Sequence, residues 1–267
     1  MGLRQEQKNE KLGETRKNKE SLGGCEMKII KYNRYKDITV EFQDKHKAKI
    51  HTTYQHFEKG DVKNPYYPSV YGVGYIGEGK YKVSINGKTT KAYRYWNDML
   101  KRCYDPYYLN KKPTYRDCFV CDEWLNFQNF AEWWEENIYN CNNERIVLDK
   151  DILVKGNKIY SPDTCIFVPE RINSLFTKCD RKRGKYPIGI YKYIDKRYGK
   201  EYIIAQCNTL EKSEYLGCFP LDKPFQAFYS YKIFKENYIK KVANEYKDLI
   251  PKKLYNALYR YEVEIND

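Results

Sequence analysis

The stretch LDKDILVKGNKIYSPDTCIFVPERIN, residues 148–173, raises the question that the rest of the chain has to answer. It sets two carboxylates, Asp149 and Asp151, on either side of Lys150, and follows them with Tyr160, Thr164 and Asn173, yet it contains no histidine. The chain's only histidines, His46, His51 and His56, lie far upstream in a β-type segment and read as surface residues.

Outside this stretch the chain is strongly basic. Its 267 residues carry 49 Lys and Arg against 36 Asp and Glu, a formal +13 that must find anions or be carried as self-repulsion, so nucleic acid is the first candidate partner. Tyrosine occurs 29 times, and basic residues interleaved with phenol rings suit phosphate contact together with packing on bases or sugars. An AT-rich coding sequence would also raise Lys, Tyr, Asn and Ile, so charge alone decides nothing. No run approaches the roughly 20 apolar residues of a membrane span, and MGLRQEQKNEKLGETRKNKE at the start has no apolar export segment. The expected location is intracellular, in the cytoplasm. Nine cysteines, an odd number, do not read as a disulfide framework and are expected as thiols or metal ligands.

The patterning predicts an α+β chain. Residues 1–26 are almost wholly polar and read as a flexible basic arm. Residues 27–91 alternate apolar and polar positions in KIIKYN, DITVEFQ and AKIHTTY, followed by the turn-rich NPYYPSVYGVGYIGEG and then KYKVSING, which predicts a small β-rich module. Two helices follow: one with Tyr93, Trp96, Leu100 and Cys103 on one face, ended by Asp105-Pro106, and one with Trp124, Phe127, Phe130, Trp134 and Ile138 in a stripe. Beyond the basic linker TKCDRKRGKYP, three short strands and a long helical period predict a three-stranded sheet plus helix over residues 185–267, with a last helix near PKKLYNALYRYEVE.

From about Tyr95 to Asn173 the chain resembles a group of phage HNH proteins of the homing-endonuclease type. The elements are Trp96 with Met99, Arg102-Cys103, Val120-Cys121, Trp124 with Phe127, Leu148-Asp149-Lys150, Tyr160-Ser161-Pro162, Cys165 and Asn173. The resemblance implies an HNH-like ββα-metal module over residues 92–180, in which a hairpin and helix grip one divalent metal, Mg or Mn. Asp149 and Asn173 take the metal positions, Lys150 stands where the general-base His is usual, and Thr164 stands where an orienting Asn is usual. A lysine near its ordinary pKa of about 10.4 is protonated at neutral pH and cannot take a proton from water; Asp151 and Tyr160 are the available substitutes. Cys118 and Cys121 form a C-x-x-C that Cys103 and Cys165 could complete as a structural zinc site, with buried free thiols as the alternative.

The last module resembles the plant ethylene-response-factor type of DNA-binding domain. The matching pieces are GIYKY, EYIIAQC with its Tyr-x-x-Ala, and EYLGCF with Ala227 and Tyr231. That resemblance implies a sheet in the major groove of double-stranded DNA, contacted by Lys192, Tyr193, Lys196, Arg197, Lys200 and Lys212. The alternative is a solvated basic face. The functional expectation is a phage DNA-binding protein with weak or lost metal-dependent phosphodiester cleavage. The competing expectation is a protein that acts by binding alone, as a regulator or as an inhibitor of a host nuclease or defence complex, with oligomerisation open in either case.

Overall fold

The computed structural model describes residues 10–177, 186–265 and 267; most of the predicted basic linker lies outside them. The chain is α+β, with several small sheets and no single large one. Two units are distinguished: residues 1–136 with 158–162, and residues 137–157 with 163–267. The stretch expected as one module over residues 92–180 is therefore shared between the two units.

In the first unit, β1 (Thr15–Lys17), β2 (Glu26–Arg34), β3 (Asp37–Phe42) and β4 (Lys49–Thr52) form an antiparallel sheet in sequence order. The alternation in DITVEF turns Ile38, Val40 and Phe42 into a core shared with Met27, Ile29 and Phe57. The expected flexible arm is a correction from Glu10 onward, since β1 pairs with β2 and a 3-10 turn spans Glu20–Leu22. Pairing at a sheet edge uses backbone groups and needs no apolar side chains. The side chain of Asn18 reinforces it, donating to the carbonyls of Leu22 and Val62 and accepting the Cys25 N–H. The period-two reading also missed a helix, Tyr54–Lys59. Thr53 caps it by accepting the His56 N–H at 3.2 Å, and Gly60, at φ 68°, ends it. The strand expected in KYKVSING shrinks to β5 (Ser84–Ile85) and β6 (Lys88–Thr89), joined through Asn86 and Gly87, both at positive φ.

The first tryptophan helix runs Lys91–Tyr104 from a Thr90 cap, with Trp96 and Leu100 fully buried. The indole of Trp96 donates to the Trp124 carbonyl at 2.7 Å. The second predicted helix is two pieces, Asp122–Leu125 and Phe127–Asn137, separated by Asn126 in extended conformation. Tyr75 causes the break: its N–H donates to the Leu125 carbonyl and its carbonyl accepts the Phe127 N–H, so the chain pairs across instead of continuing the helix. β7 (Phe119–Val120) runs parallel to a later strand of this unit, β9 (Ile159–Tyr160).

In the second unit, β8 (Ile146–Asp149) pairs antiparallel with β10 (Ile166–Pro169), Asp149 standing opposite Ile166; β9 (Ile159–Tyr160) falls between them in the chain and belongs to the first unit. β10 is buried on both faces. A single helical turn, Glu170–Asn173, continued by a 3-10 turn, Ser174–Phe176, packs back on this pair. β11 (Ile190–Asp195), β12 (Lys200–Asn208) and β13 (Ser213–Phe219) form an antiparallel sheet in that order. The long helix Pro224–Glu245 covers one face, closing a core of Ile190, Ile203, Ala205, Cys207, Ala227, Phe228 and Tyr231. The helix Lys252–Tyr259 packs on the long helix. Among the described residues no helix is long and apolar enough to cross a membrane.

Candidate functional site

β8 ends at Asp149, and the chain leaves it through a tight turn fixed by that residue's own side chain. Asp149 Oδ1 accepts the backbone N–H groups of Asp151 and Ile152, each at 2.7 Å. This is the local bonding that makes Asp a turn former. Burial pushes the Asp149 carboxyl above its ordinary range, the two backbone donors pull it down, and the Asp151 charge pushes it up again.

Lys150, next in the chain, is 6% exposed. Its ammonium donates to Asp151 Oδ1 at 2.5 Å and to the Asn157 carbonyl at 2.7 Å, while the Asn157 amide donates back to the Lys150 carbonyl at 2.9 Å. The two residues thus close the loop 150–157 from both ends. A second lysine holds the same loop from outside. Lys155 Nζ lies 2.7 Å from Asp267 Oδ2, 3.0 Å from the Glu262 carbonyl and 5.3 Å from the centre of the Tyr261 ring. The sequence reading singles out neither Lys155 nor Asn157: the partners of Lys155 lie more than 100 residues away, and Asn157 is a local partner, seven residues from Lys150, with no periodic pattern to mark it.

The remaining predicted centre residues separate. Thr164 lies in the turn before β10, and Asn173 ends the short helix that packs on β8, so the second unit holds Asp149, Lys150, Asp151, Thr164 and Asn173. Tyr160 belongs to the first unit, 1% exposed, on β9. Burial raises its phenol well above the ordinary value, although Arg102 beside it pulls the other way. A phenol held so firmly protonated is a poor stand-in for a base.

Of the four cysteines, Cys103, Cys118 and Cys121 fall in the first unit and Cys165 in the second. The described cysteines are free, and burial raises the Cys121 thiol. Among the described residues no group of three or more His, Cys, Asp or Glu side chains is placed to hold a metal.

On the C-terminal sheet, strand alternation divides the six predicted contacts. Tyr193 stands opposite Tyr202 on the face turned away from the helix. Lys192, one residue earlier, stands opposite Ile203 on the helix side, where its ammonium meets Glu201 Oε1 at 2.7 Å. The expectation that both face one ligand is corrected by the period of two. Lys196 and Arg197 lie in the β11–β12 turn and Lys200 opens β12, all exposed; Asp195 shapes the turn by accepting the Arg197 N–H at 2.8 Å. Lys212 pairs with Glu214 at 3.1 Å. The same alternation, applied to the sequence, would have found Tyr191, Tyr202 and Tyr215 as companions of Tyr193. No protein-family model, no curated protein and no solved structure matches this chain.

Proposed function

We propose that this chain is a phage-type DNA-binding protein on an HNH-like frame whose metal-dependent cleavage is weak or lost, acting in the cytoplasm of the infected cell. One observation carries the reading. Lys150, at the position of the general base in the family it resembles, is buried and bonded to Asp151 and Asn157, so it serves the loop and not a water molecule. General-base loss typically lowers a rate by about 10²- to 10⁴-fold.

A magnesium or manganese ion on Asp149 and Asn173 would be only loosely held. One oxygen of Asp149 is already shared by two backbone donors, and water and a DNA phosphate would have to complete the octahedron. The ion would supply charge stabilisation at the leaving oxygen. The chain's part is to present Asp149 at the end of β8 and to hold the loop beside it. Structural zinc on Cys103, Cys118, Cys121 and Cys165 would show as about one zinc per chain by elemental analysis, and a chelator would then lower the melting temperature.

The test is plasmid nicking with magnesium or manganese beside a gel shift without metal. The expected result is a shift with absent or slow nicking. Lys150→His with Thr164→Asn is expected to nick faster than the natural chain, and Asp149→Ala in that background to remove the gain. Brisk nicking by the natural chain that Lys150→Ala destroys would overturn the reading.

A second reading, action by binding a protein such as a host defence component, is favoured by one feature. Phe225, Tyr229 and Ile233, at successive i+4 positions of the long helix, are 71%, 62% and 44% exposed. Such an apolar stripe is the usual mark of a contact surface.

A further inference from the structure

We infer that the open face of the β11–β13 sheet is a stacking surface for an unpaired strand of nucleic acid. The inference rests on the nucleic-acid reading above and narrows its ligand. Tyr191 and Tyr193 of β11 share this face, Tyr202 stands directly opposite Tyr193, and a bulge in β13 brings Tyr215 opposite Gln206. Tyr191, Tyr193 and Tyr215 are 40%, 48% and 65% exposed. Neighbouring strands lie about 4.8 Å apart and alternate residues of one strand about 6.7 Å apart, so Tyr191, Tyr193 and Tyr202 form one group of adjacent rings, and Tyr215 stands apart from it beside Gln206 on the outer strand.

What the face leaves open decides between a single strand and a duplex. A duplex offers base edges and phosphates, and reading edges takes unengaged amides, hydroxyls or guanidinium groups. Here the amide and hydroxyl groups in the middle of the face are tied to each other, and the open cations lie only at its end. Gln206 Oε1 accepts the Tyr191 hydroxyl at 3.0 Å, its amide nitrogen donates to the Ser213 hydroxyl, and that hydroxyl donates to Asn208 Oδ1 at 2.7 Å. The rings remain, and a ring recognises the flat face of a base, which only an unpaired strand exposes.

The charges agree. Lys196, Arg197 and Lys200 have no acidic partner among the described residues, while Glu201 and Glu214 pair with Lys192 and Lys212. The end of the face where β11 turns into β12 is therefore cationic and suited to a phosphate backbone.

The test uses the full chain and one labelled mixed-sequence oligonucleotide, single-stranded and annealed to its complement, with binding read by fluorescence anisotropy. The expected result is tighter binding of the single strand. Tyr193→Ala and Tyr215→Ala should each weaken it at least about fivefold, Tyr193→Phe should keep it, and duplex binding should change less than about twofold; circular dichroism checks that the variants fold. Preference for the duplex, or alanine variants that bind the single strand as the natural chain does, would overturn the inference and leave DNA binding standing. Failure to bind either form, including capture of a protein partner through this face instead, would overturn both.

Discussion

The loop 149–157 and the turn 196–199 are built from similar parts, a carboxylate at the strand end followed by basic residues, yet they use their charges in opposite ways. In the first, Asp149 holds two backbone donors, Lys150 holds Asp151 and the Asn157 carbonyl, and Lys155 holds Asp267. In the second, Asp195 alone shapes the turn, and Lys196, Arg197 and Lys200 are left to solvent. A charge answered inside the protein supports structure. A charge left open costs little to keep in water and is available to a partner. The two segments therefore separate charges spent on the framework of this protein from charges left to solvent.

The largest expected effect tests the open side. Replacing Lys196, Arg197 and Lys200 together with Ala should flatten the dependence of log affinity on log salt by about two to three units, since each phosphate contact contributes about 0.7 on a single strand and about 0.9 on a duplex. Thermal stability should move within about 0.5 kcal/mol. An unchanged slope in a titration across salt concentrations would remove nucleic acid from this turn.

The closed side should respond in stability alone. Lys150→Met keeps the buried stem and removes the ammonium with its bonds to Asp151 and to the Asn157 carbonyl, for an expected loss of about 1 to 3 kcal/mol by urea denaturation. Affinity for nucleic acid should not change; a collapse of affinity in a folded variant would break the contrast.

A smaller effect separates charge from hydrogen bonding at Asp149. Asp149→Ala leaves the Asp151 and Ile152 N–H groups without their acceptor and should cost about 1 kcal/mol, as the loss of a cap does. Asp149→Asn keeps the acceptor oxygen and removes a charge that burial disfavours, so its melting temperature should match or exceed that of the natural chain.

The smallest effect appears only at high pH. Burial, aided by the bond to Glu144 Oε1 at 2.8 Å, pushes the Tyr246 phenol up to about 12. The folded form then keeps its proton where the unfolded chain, near 10, has lost it. The stabilisation is complete below pH 10 and is lost as pH rises from about 10 through about 12. Denaturation midpoints across that window should fall less steeply for Tyr246→Phe than for the natural chain.

Parts of the fold were legible because their cause is local. The alternation in β11–β13 and the 3.6-residue period of the Trp96 and Phe228 helices name the buried face whatever the rest of the chain does. The helix break at Asn126 was not legible, because Tyr75 makes it from 51 residues away, counting 126 − 75. β1 was hidden for a similar reason: its pairing runs through the backbone of β2, and its own side chains carry no pattern.

The candidate centre shows the same limit. The order Asp149, Lys150, Thr164 and Asn173 could be read from the chain, and so could the absence of a histidine beside them. That Lys150 is a clamp could not, because a lysine's role is set by the acceptors that meet its ammonium. The sequence by itself determined the α+β class, the basic balance and the faces of the regular elements, since these follow from residue type and period. Only the tertiary structure decided which charges are answered internally and which remain open. Those pairings join residues as far apart as Lys155 and Asp267, 112 positions along the chain, and no local pattern can specify a partner at that distance.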